Sequence, residues 1–111
     1  MSYFGAHFDE VLRLLRREFP TKHPVKVRTV PKVPSNVAGD CEWMDRYWRI
    51  RIHRGLSQMV AIDTLTHEWA HVLDMEEREN VRDFHRDSWG RHYSRIYRKV
   101  YDNGQEDLAT E

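Results

Sequence analysis

The sequence predicts an α+β domain: one helix, a small three-stranded sheet, then two more helices. Three observations carry this. Apolar residues recur at helical spacing in residues 6–19 and again after Ser57, residues 47–53 alternate with a period of two, and proline and glycine punctuate the stretch between. With 111 residues the chain has the size of one domain, and 1–111 reads as a single domain with a polar tail over about 103–111.

Phe8, Val11, Leu12, Leu15 and Phe19 recur at helical spacing with charges between them, and Pro20 ends the pattern. Residues 25–30 alternate and predict a strand, after which Pro31 and Pro34 break regular structure. Gly39-Asp40 reads as a turn, with a second strand from Cys41 to Met44. Asp45-Arg46 then turns the chain into a third strand, Tyr47–His53. Trp48, Ile50 and Ile52 face one side of that strand and Tyr47, Arg49, Arg51 and His53 the other. Ser57 is the expected N-cap of a long helix ending near Glu77. Asp87 or Ser88 would cap a last helix reaching about Tyr101.

The 18 basic and 18 acidic side chains cancel, which argues against a whole-protein field for nucleic acid or an anionic membrane. Cys41 is the only cysteine, so neither an intramolecular disulfide nor a cysteine-based zinc knuckle can form. Residues 1–19 carry Asp9, Glu10, Arg13, Arg16 and Arg17 among their apolar positions. They read as neither a signal sequence nor a membrane span, and the expected compartment is the cytoplasm. Seven histidines are many for this length, so their placement matters.

Two of them form His67-Glu68-Trp69-Ala70-His71. On a helix, residues four apart stand one above the other, so two imidazoles can reach one ion. Glu68 is offset by about 100° and can address a water held by that ion. Zinc takes neutral imidazole nitrogen, and an open fourth position would bind water and lower its pKa towards about 7. Glu68 would accept the water proton and pass it to the leaving amine. With His67 at 0°, His71 falls at about 40° and Asp74 at about −20°. Ile62, Leu65, Trp69, Val72 and Leu73 lie on the opposite side. The histidines thus turn away from the expected core together, as a metal site requires.

A third ligand is needed. His85, 14 residues after His71 and just before the last helix, is the leading candidate. Asp74 is the rival, with a simpler role in accepting the free N–H of a ligating histidine. His92, Glu76 and Glu77 are further candidates.

His67-Glu68-Trp69-Ala70-His71-Val72-Leu73-Asp74, followed by His85-Arg86-Asp87-Ser88-Trp89-Gly90-Arg91-His92-Tyr93, resembles the SprT-like metallopeptidases and the related WLM group. Residues 57–101 carry the resemblance, and residues 1–55 match only in the order of elements. It implies a minimal zincin-like fold, His67, His71 and His85 as ligands of one Zn2+ ion, and Glu68 as catalytic base. Larger SprT-like proteins often carry a cysteine zinc ribbon or nucleic-acid-binding regions, which this chain lacks. It is similar to the stand-alone, phage-type minimal domain, and a role on DNA-crosslinked proteins does not carry over with it.

The expected function is therefore a zinc metallopeptidase acting on a protein or peptide. The alternative is a catalytically idle, zinc-stabilised module that binds nucleic acid or a protein partner. Trp89, Tyr93, Ile96, Tyr97 and Val100 read chiefly as core-facing positions of the last helix. His92, Tyr93, His53 and Arg91 are candidate donors to a developing oxyanion, and the sequence does not choose among them. Strand Tyr47–His53 is weighed equally as the edge that holds an extended substrate and as an ordinary sheet strand. Arg91, Arg95 and Lys99 form a basic ridge where nucleic acid could touch, although neighbouring acids favour a solvated face. Cys41 reads as a small packed hydrophobe.

Overall fold

The computed structural model describes residues 3–33, 37–77 and 87–102. Its elements are α1 (Ala6–Glu18), β1 (Val25–Val30), β2 (Gly39–Trp43), β3 (Trp48–His53), α2 (Gln58–Glu77) and α3 (Asp87–Tyr97), with a π-helical turn at Arg98–Asp102. The chain is α+β, and its three strands form one mixed sheet in the order β1-β3-β2. β1 runs parallel to β3, with Val27 opposite Ile50, and β2 runs antiparallel to β3, with Cys41 opposite Ile50.

The alternation in β3 decides how the sheet is used. Trp48, Ile50 and Ile52 are buried on its inner face, while Arg49, Arg51 and His53 look outward. Arg51 bonds Asp40 and Arg49 bonds Glu42, so the two residues directly opposite on β2 neutralise the outer face. Met44 N–H donates to the carbonyl of Tyr47 at 2.8 Å, and Asp45 takes a positive φ of 78° in the expected turn. β3 is the central strand, which corrects its reading as a candidate sheet edge. β1 pairs with it directly and in parallel although β2 comes between them in sequence, and the edge positions fall to β1 and β2.

α2 is the spine of the core. Ile62, Leu65, Trp69 and Val72 are buried with Phe8, Val11 and Leu15 of α1, the inner face of the sheet, and Ile96 and Val100. Ser57 caps α2 as expected, its Oγ accepting the Val60 N–H at 3.3 Å. Gln58, the first residue of α2, in turn caps α1 by accepting the Phe8 N–H at 3.2 Å. At the far end, Glu76 accepts from Lys22 N–H at 2.8 Å, His23 N–H at 3.1 Å and Trp48 Nε1–H at 2.9 Å. That carboxylate ties the segment before β1, and β3 itself, to the end of α2. It is a fastening and not a metal ligand. Thr66, Glu68 and Asp74 of α2 are buried as well. No helix among the described residues is long and apolar enough to cross a membrane.

Candidate metal centre

His67 and His71 project from the same face of α2 and are half-buried. Their Nε2 atoms lie 3.2 Å apart. Two nitrogens at about 2.0–2.1 Å from one tetrahedral ion stand about 3.3 Å apart. The pair therefore has the separation that a shared zinc requires; in the metal-free chain the same two nitrogens share a hydrogen bond. Imidazole nitrogen is also a donor type that suits zinc. The third sequence candidate, His85, lies outside the described residues. Among the described residues no group of three His, Cys, Asp or Glu side chains gathers to hold an ion. Asp74 thus does not complete the site with the histidine pair; it is buried on the same helix, 2% exposed.

α3 brings its first turns onto the pair. The Trp89 ring lies 5.0 Å from His67 and 5.3 Å from His71, stacked on the latter at 29°. Tyr93 follows one turn on, parallel to Trp89 at 5.2 Å and 6.1 Å from His67. These rings were expected mainly as core, yet Trp89 and Tyr93 pack on the imidazoles themselves. Of the four candidate oxyanion donors, Tyr93 packs against the histidine pair. Its hydroxyl donates to Asp63 at 3.2 Å, and burial together with the Asp63 charge pushes it up to about 12. It stays a neutral donor at any ordinary pH. His92 bonds Glu77 at 2.6 Å and Arg95 at 2.8 Å, Arg91 pairs with Glu77 at 3.7 Å, and His53 accepts the Gly55 N–H at 2.9 Å. Those three are engaged elsewhere.

Glu68 points the other way round the helix, toward β2, and is 7% exposed. Two features bring it there. Gly39 lets β2 approach, since a Cβ at that position would stand 2.6 Å from Thr64 Cγ2 and 2.7 Å from the Arg51 carbonyl. Glu68 lies one turn after Thr64, as Cys41 lies two residues after Gly39 on the same sheet face. The Cys41 thiol lies near the Glu68 carboxylate and favours its charged form. Burial raises Glu68 to about 7, Cys41 opposes the rise, and Asp40 adds to it. Burial and the nearby Glu68 charge push the Cys41 thiol up as well. Sequence reading assigned Cys41 to packing alone. Its partnership with Glu68 depends on a sheet register that no local pattern reveals.

The three cations of the basic ridge are each engaged within the chain. Arg91 pairs with Glu77, Arg95 lies over the Phe19 ring at 5.5 Å, and Lys99 pairs with Glu18 at 3.4 Å. The ridge fastens α3 and the π-turn to α1 and α2.

Compared with known proteins, the chain matches no family model, and no curated protein or solved structure is significantly similar to it.

Proposed function

We propose that this chain is a zinc-dependent metallopeptidase that cleaves peptide bonds. The observation that carries the reading is the 3.2 Å separation of His67 Nε2 and His71 Nε2 on one face of α2. His67 and His71 would hold the ion, with His85, two residues before α3 in the sequence, as third ligand. Zinc supplies a Lewis acid that polarises the scissile carbonyl and acidifies a water. Glu68 is the base. Adjacent to His67 in sequence and one position round the helix, it would take a proton from the attacking water and return it to the leaving amine. The free edge of β2, the side not paired with β3, offers backbone groups to an extended peptide. The chain's single cysteine fits a reducing compartment such as the cytoplasm.

Glu68→Gln keeps the shape of the side chain and removes the base. The variant is expected to bind one equivalent of zinc and to lose peptide cleavage by at least about 100-fold. Cleavage at the wild-type rate would refute the mechanism. A second reading, a zinc-stabilised binding module without catalysis, draws on the cover that Trp89 gives both imidazoles. It predicts zinc binding with no cleavage across a peptide library, whereas Glu68 would then have no task.

A further inference from the structure

The helix α3 and the turn after it carry a row of aromatic side chains, half-buried at Trp89, Tyr93 and Tyr101 and exposed at Tyr97. Trp89, Tyr93, Tyr97 and Tyr101 form a ladder with successive ring centroids at 5.2, 5.9 and 4.4 Å. The ladder starts on His67 and His71 and runs away from them along the helix. On a regular α-helix, residues four apart drift by about 40° per step, which would turn the last ring off the row. The π-turn at Arg98–Asp102 coincides with the step where Tyr101 closes on Tyr97. Such turns often occur at functional sites.

Buried residues on the same helical face anchor this row. Ile96 and Val100 are buried in the core, and Lys99 pairs with Glu18. The aromatic side is therefore a rigid wall. A cavity of about 530 Å3, open to solvent, is lined by Tyr93, Ser94, Tyr97 and Arg98. Tyr97 is 45% exposed although it stacks on both neighbouring rings. The Tyr93 hydroxyl is held by Asp63, so that residue offers chiefly its ring. Tyrosine faces and a guanidinium both favour a neutral ring.

We propose that this cavity is a specificity subsite that receives an aromatic side chain of the substrate, close to the bond cleaved at the histidine pair. The proposal rests on the metallopeptidase reading for its place in catalysis, but binding tests it separately. Zinc-loaded Glu68→Gln protein is titrated with two capped pentapeptides, alanine throughout except for a central phenylalanine in one and a central glutamate in the other, and with the all-alanine parent. Affinities and the shifts of the Ser94 and Tyr97 amides are read by NMR. Phenylalanine is expected to bind about tenfold more tightly than alanine, with shifts at Ser94 and Tyr97. Tyr97→Ala should remove that preference and Tyr97→Phe should retain it.

Equal binding of the phenylalanine and alanine peptides overturns the subsite. So does a preference for glutamate, or one that survives Tyr97→Ala. Wild-type cleavage with no aromatic preference overturns it too, while leaving hydrolysis intact. An aromatic preference in binding without wild-type cleavage upholds the subsite and refutes hydrolysis.

Discussion

Burial of Glu68 has a consequence for stability that can be measured without any substrate. Its carboxyl rises from an ordinary 4.5 to about 7, because burial penalises the charged form more than the nearby Cys41 thiol relieves it. Between these two values the folded, metal-free chain holds a proton that the unfolded chain has released. The stability associated with this group is therefore fully present below pH 4.5 and is lost as pH rises through 7. An interval of about 2.5 in pH, at about 1.4 kcal/mol each, makes the loss about 3 kcal/mol. Glu68→Gln cannot titrate. In chelator, urea unfolding of the two proteins from pH 4.5 to 8.5 should give curves that diverge, the wild type falling relative to the variant by about that amount. Adding zinc should shrink the divergence, because a nearby dication favours the charged carboxylate. Parallel pH profiles for wild type and Glu68→Gln in chelator would refute the burial argument.

Two further substitutions probe how the site is held. Glu76→Ala strands the Trp48 Nε1–H and the Lys22 and His23 amides, and should cost about 3 kcal/mol in urea unfolding. A loss below about 0.5 kcal/mol would show that this carboxylate is no fastening. Gly39→Ala drives a methyl into Thr64 Cγ2 and the Arg51 carbonyl and should destabilise by about 2 kcal/mol. Thr64→Ser removes only the first of these contacts. The double variant should therefore recover part of the loss, and full recovery would show that the backbone contact is not felt.

Much of the scaffold was legible from periodicity. The alternation of Trp48, Ile50 and Ile52 and the helical spacing in α1 reflect which side of each element is buried, and local sequence records that directly. The Ser57 cap and the turn at Asp45 were legible for the same reason. Sheet order was not, because the parallel pairing of β1 with β3 joins segments separated by the whole of β2, and no local pattern encodes that partner. Glu76 and Cys41 have partners that local sequence did not show: one answers donors 28 and more residues away, and the other packs on the core as expected but meets Glu68 only after β2 has found its register. The aromatic repeat on α3 read as core, and Trp89, Tyr93, Ile96 and Val100 do pack there, but Trp89 and Tyr93 also cover the histidines and Tyr97 faces solvent. Within the site, the joint projection of His67 and His71 followed from four-residue spacing alone.

The central claim is that His67 and His71 hold one zinc ion, and metal content tests it most directly. Purified protein equilibrated with zinc and freed of excess should contain about one equivalent by mass spectrometry of the metal. His67→Ala and His71→Ala should each lose most of it, and His85→Ala should do the same if the ligand set is these three histidines. Full zinc in His85→Ala would remove that residue from the site. Wild-type protein without bound zinc, or full retention in His67→Ala, would contradict the account.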